Sequence, residues 1–141
     1  MSDADRYQLV DTNILIFAHD SSAGEKNRRA NALLRRLWQE RNGCLSVQVL
    51  QEFYVNVTQK VAQPLNPALA AQIIADLSVW RVHQPGVEDV LDAIQIQSRY
   101  QLSFWDAMIV NSALQLGCQT IWTEDMNTGQ SYDGVIAENP F

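Results

Sequence analysis

The chain has 141 residues, of which 47% are hydrophobic and 18% charged, with a net charge of −6. That length fits one domain, residues 1–141, able to bury about two-thirds of its unfolded surface. No apolar run reaches the ~20 residues of a membrane span, and Cys44 and Cys118 are too few for a disulfide framework and form no Cys-x-x-Cys pair for structural zinc. The polar, acidic start has no signal-peptide core behind it. A cytoplasmic protein with reduced, half-buried thiols and no membrane contact is expected.

Residues 7–10 read as a short buried strand that ends in Asp11, and Thr12 or Asn13 can cap a helix over 14–19. Ser22-Ala23-Gly24-Glu25 has the form of a capping box for a helix running to about Asn42, with Gly43 as its stop. Ala30, Leu33, Leu34, Leu37 and Trp38 make its apolar stripe. Arg28, Arg29, Arg35 and Arg36 fall on the opposite side of the wheel. Residues 26–41 hold six basic side chains against the single acid Glu40, a net +5 that leaves −11 on the rest of the chain. This arginine face is either a solvated surface or a contact for RNA phosphates.

A short strand at 44–46 leads into a helix over 47–61, with Glu52 in its second turn at the edge of the apolar stripe. Asn66-Pro67 opens a helix to about Leu77. The run 78–83 is rich in strand formers and ends at Pro85-Gly86. Residues 87–100 are helical. Ser103 to Asp106 is a second capping-box start, and its helix, to about Leu116, is apolar nearly all round and therefore buried. Gly117 ends it, 118–122 is a strand, 123–129 a polar loop, and 135–136 a short edge strand before a loose tail. Strands alternating with helices predict a three-layer α/β/α domain with a mainly parallel sheet of four or five strands.

Four acids occupy equivalent places. Asp11 follows the first strand, Glu52 is early in the helix after the second, Asp106 is in the first turn of the buried helix, and Asp125 follows the penultimate strand. In a parallel sheet all four come to the edge where the strands' carboxyl ends point. Each has a plainer reading: Asp11 as a turn or cap, Glu52 as a surface acid, Asp106 as a cap member, Asp125 as an Asx turn. Together they would repel one another beside buried faces. A hard dication offsets that repulsion, and Mg²⁺ or Mn²⁺ needs only one or two direct carboxylates, the others acting through water. Such an ion activates water for in-line attack on a phosphodiester.

The strings LVDTN at 9–13, LSVQVLQEFYVNVTQK at 45–60, LSFWDAMIVNSAL at 102–114 and IWTEDMNTGQ at 121–130 resemble the PIN domain, and within it the VapC-type toxin ribonucleases. The resemblance spans essentially the whole chain. It implies a Mg²⁺- or Mn²⁺-dependent endoribonuclease, often a homodimer, neutralised by a small antitoxin protein. Asp11, Glu52 and Asp106 match the family's first three acids, Asn13 its small polar partner, and Thr123 and Asp125 the hydroxyl-x-acid of its last motif. Glu124, beside Asp125, competes for that last role. Asn111 is either a support to the site or, more simply, a helix-packing residue. His19 and His83 have no partner at metal spacing and read as structural.

Two phosphoryl-transfer folds also open with a strand-end Asp, the haloacid-dehalogenase-like phosphatases and receiver domains. The first wants a second acid where Asn13 stands, and both want a lysine after a late strand, whereas Lys26 and Lys60 are the only lysines. The remaining alternative is a PIN-like module that binds RNA or protein without cutting.

Overall fold

The computed structural model describes residues 6–141. Its six strands are β1 (Gln8–Val10), β2 (Gly43–Ser46), β3 (Arg81–His83), β4 (Thr120–Trp122), β5 (Ser131–Tyr132) and β6 (Val135–Glu138). Its six α-helices are α1 (Thr12–Ala18), α2 (Glu25–Glu40), α3 (Val47–Gln59), α4 (Pro67–Leu77), α5 (Val87–Tyr100) and α6 (Phe104–Gln115). The strand order is β3-β2-β1-β4-β6-β5, parallel throughout except for the final β5–β6 pair. The chain runs outward from β1 through β2 to β3, then returns to the other side of β1 as β4. That reversal leaves a crevice between the carboxyl ends of β1 and β4.

The sheet carries more strands than its sequence predicts. Asp133 and Gly134, both at positive φ, turn the tail between β5 and β6. This sets the strand expected at 135–136, lengthened to Val135–Glu138, as a parallel neighbour of β4, with β5 as the added edge. Leu9, Cys44, Ile121 and Ala137 share one face by register and are fully buried. α6 packs against β2, β4 and β6 and also carries α5. α2 packs against α1 and β2, and α3 links α1 to α4. α6 is buried at every position from Ala107 to Ala113, as its lack of a polar face requires.

Several boundaries move for local reasons. Asp11 itself caps α1, accepting from the Thr12 amide at 2.7 Å, so the helix starts at Thr12. The Ser22 box does not form. Asp20 captures the Ser22 amide at 3.0 Å, residues Ser21–Ala23 become a 3₁₀ turn, and α2 starts after Gly24 at φ 62°. α2 ends at Glu40 because Arg41 takes the left-handed conformation, before Gly43 is reached. Residue 78 still caps α4, which shortens the expected strand to Arg81–His83. Cys44 and Cys118 are buried, rather than half-buried, and both are free thiols.

Gly43 is needed for space. A Cβ there would stand 2.5–2.8 Å from three carbons of the Trp80 indole, which also meets Trp38 with ring centroids 6.0 Å apart. Gly43→Ala is therefore expected to cost about 1–3 kcal/mol by overpacking. Urea denaturation measures this, and an unchanged midpoint would show that Trp80 yields freely.

Candidate active site

The crevice is built first by the ends of β1 and β4. The Asp11 amide donates to the Trp122 carbonyl at 2.9 Å, carrying the β1–β4 ladder one residue past the strands. This brings Asp11 beside Thr123. The Thr123 hydroxyl, 1% exposed, donates to Asp11 Oδ2 at 2.8 Å and accepts from the Asp125 amide at 3.0 Å. Asn13, in the first turn of α1, spans the same gap. Its Nδ2 donates to Asp125 Oδ2 at 2.9 Å, and lies 3.4 Å from both Asp11 Oδ2 and Thr123 Oγ1. Its Oδ1 accepts from the Glu124 amide at 3.3 Å. Thr123 and Asn13 thus tie the two strand-end carboxylates into one polar network.

The other acids arrive on helices. Asp106 sits in the first turn of α6, where its amide donates to the Ser103 hydroxyl at 3.1 Å. Glu52, in α3, accepts from Gln48 Nε2 at 2.9 Å, and the same amide group donates to the Trp105 carbonyl at 3.2 Å. Gln48 is buried and joins α3 to the first turn of α6. The sequence does not single it out. Its signal is the Gln48–Glu52 spacing of four, which stacks the two side chains on one helix face.

Electrostatics couple the four acids. Burial pushes the Asp11 carboxyl up to about 7; the Thr12 amide and Thr123 hydroxyl oppose this, and the charges of Asp106 and Asp125 add to it. Asp106 is also raised, by burial first, against its bond with Ser103, and then by Asp125 and Glu52. Each added negative charge disfavours the next, a situation a dication relieves. Among the described residues no three Asp, Glu, His or Cys side chains stand close enough together to hold one ion directly. The donors present are all carboxylate oxygens, the chemistry a hard ion such as Mg²⁺ takes.

The remaining sequence candidates lie elsewhere. Glu124 turns away to Lys26, 2.8 Å distant, leaving Asp125 as the acid on the Asn13 network. The arginines divide into two groups, because Arg29 and Arg36 sit about 100° around the helix from Arg28 and Arg35. Arg28 is bonded to Glu25, and Arg35 lines a cavity with Trp38 and Asp76. Arg29 and Arg36 face Trp122. His19 Nδ1 is 2.9 Å from the Leu15 carbonyl, and its ring meets Phe53 edge-on. His83 lies between Ser112 and Asp89, at 2.8 and 3.4 Å. Asn111 donates to Asp89 at 2.8 Å, joining α6 to α5. Among the described residues, no hydrogen bond or ion pair joins His19, His83 or Asn111 to Asp11, Glu52, Asp106 or Asp125.

The family model for the PIN domain matches residues 9–129. No curated protein matches the chain significantly in sequence. Solved structures of similar fold include VapC20 of Mycobacterium tuberculosis, described as a sarcin-ricin loop cleaving toxin. It is 21% identical with a TM-score of 0.65, over 84% of this chain and 89% of that one. A toxin–antitoxin complex from Klebsiella pneumoniae is 21% identical with a TM-score of 0.68, over 95% and 98%. A DNA-bound VapBC from Salmonella typhimurium is 17% identical with a TM-score of 0.66, over 96% and 99%.

Proposed function

The chain belongs to the PIN domain family, and we propose that it is a Mg²⁺- or Mn²⁺-dependent endoribonuclease, the cytoplasmic toxin of a toxin–antitoxin pair. The observation that carries this reading is the network at the carboxyl ends of β1 and β4 in which Thr123 and Asn13 join Asp11 to Asp125, with the charges of Asp106 and Glu52 felt beside it. Likeness to structures of toxins and toxin–antitoxin assemblies supports RNA as substrate and a small antitoxin as partner. The exposed apolar stripe of α5, with Val87 77% and Leu91 52% exposed, supports a second copy as a further partner.

In this reading Asp11, Glu52, Asp106 and Asp125 would hold the ion, directly or through its waters. Such an ion would supply a water of lowered pKa for attack on the phosphodiester and charge stabilisation for the departing oxygen. The chain's own groups set the geometry. Thr123 fixes Asp11 Oδ2, the Thr12 amide fixes Oδ1, and Asn13 holds Asp125 in line with both. Gln48 holds Glu52 toward α6. Lys26 keeps Glu124 out of the set.

Expression of wild type and Asp106→Asn in a bacterial host, with growth followed and new RNA 5′ ends mapped, tests the function. Wild type should arrest growth and generate a discrete set of new ends, which the variant reduces by about 100-fold or more. Normal accumulation of wild-type protein with no new ends would instead favour the non-cutting module.

A further inference from the structure

The register that turns Leu9 and Ile121 to one face of the sheet turns Gln8 and Trp122 to the other, toward α2. The Trp122 indole is held there by a hydrogen bond from Nε1 to Gln8 Oε1 at 2.6 Å. Arg29 and Arg36 are two turns apart on α2, about 10.5 Å along one face. With Ala32, Leu33, Trp122 and Pro140 they line an open groove of about 440 Å³, within the range of small-ligand sites.

The groove is basic and aromatic on a chain of net charge −6. The Arg36 guanidinium lies over the indole, 5.6 Å from the ring centroid, and among the described residues it pairs with no carboxylate. Arg29 shares Glu25 with Arg28 at 3.5 Å, and both ends of that pair are more than half exposed, so the pair is weak. The groove has a direction. Beyond Arg36 the surface turns mixed, with Glu40 and Glu138 lining the adjoining cavity. At the other end Trp122 is followed directly by Thr123, whose hydroxyl holds Asp11.

We propose that this groove is a nucleotide subsite for single-stranded RNA, in which a base takes the place of the Arg36 guanidinium over Trp122, and Arg36, swung outward, and Arg29 take the flanking phosphates. The inference rests on the endoribonuclease reading and extends it. A paired base cannot present its face to an indole, so the subsite selects an unpaired segment and leads it to the acids. Stacking tolerates any base, so this site sets strandedness and register rather than sequence. Guanidinium forks suit phosphate oxygens, and a base face suits the indole.

The test is binding of a short labelled 2′-O-methyl oligoribonucleotide to the Asp11→Asn protein in EDTA, followed by anisotropy across a salt series. Arg29→Gln combined with Arg36→Gln should weaken binding about tenfold and lower the slope of log K against log salt by about 1.4. Trp122→Leu should weaken it about tenfold, and Trp122→Phe by no more than about threefold. A duplex of the same sequence should compete poorly. Because the double arginine variant leaves β4 and its Gln8 bond intact, unchanged affinity and slope in that variant would overturn the subsite. If the intact protein cleaves RNA and the arginine variant cleaves and binds like it, only the subsite falls. If the intact protein neither binds the oligonucleotide nor cleaves, the endoribonuclease reading falls with it.

Discussion

Asp11→Asn should abolish RNA cleavage and, at the same time, make the metal-free protein more stable at alkaline pH. The two effects share one cause. Asp11 is buried at the crevice, and its folded carboxyl stands at about 7 against an ordinary value of 3.8. Below about pH 3, under the unfolded value of 3.8, both folded and unfolded chains carry it protonated, and its contribution to stability is fully present. As pH rises toward 7 the unfolded chain ionises first, so folding loses free energy through that window. The loss is complete above pH 7 and amounts to at most about 4 kcal/mol. An amide at position 11 can still accept from the Thr12 amide without carrying charge. We expect Asp11→Asn to gain about 1–3 kcal/mol at pH 8 in EDTA and almost nothing at pH 3, after allowing for a weakened bond to Thr123. Urea denaturation at the two pH values reads this directly. A variant less stable than wild type at pH 8 would mean that the carboxylate is held by its hydrogen bonds and that burial does not strain it.

Divalent ions should supply what the metal-free protein lacks. An ion that binds only the folded state at a hundred times its dissociation constant stabilises by about 2.7 kcal/mol. For a chain of this size that is an increase of roughly 10 °C in the thermal midpoint. With Mn²⁺ or Mg²⁺ the increase should be large at pH 8 and fade toward pH 5, where protons compete for Asp11 and Asp106. Asp11→Asn and Asp106→Asn should each remove most of it. Sodium chloride at matched ionic strength should not reproduce it, because screening acts weakly on buried charges. An equal midpoint shift in wild type and Asp11→Asn would place the ion elsewhere on the molecule.

Much of this arrangement is legible in the sequence because it depends on local rules. Short apolar runs ending in polar residues mark the strands, and Ser46, Asn66 and Ser103 cap the helices they precede. Asp11 shows why a capping reading and a site reading need not compete: one carboxylate oxygen caps α1 and the other joins Thr123. What the sequence hides is mostly tertiary. The two-residue β5 is too short for a period-2 signal, so β6 gains its place beside β4 only through the Asp133-Gly134 turn. Asp20 outcompeting the Ser22 box is a contest between near-equivalent caps that local pattern cannot settle. The four arginines look like one face when counted as polar positions. The helix divides them into two pairs, and only the packing against Trp122 gives Arg29 and Arg36 a common partner. The choice between Glu124 and Asp125 likewise needed Lys26, 98 residues away, to occupy the first.

Metal-dependent cutting of RNA at the Asp11 crevice is tested by incubating the purified protein with single-stranded RNA in Mg²⁺, in Mn²⁺ and in EDTA, beside Asp11→Asn under the same conditions. Wild type, and only with metal, should yield new internal ends without 2′,3′-cyclic phosphate, since water and not the 2′-hydroxyl attacks. Cleavage that survives EDTA, or that Asp11→Asn performs equally well, would rule out a metal-dependent site at Asp11.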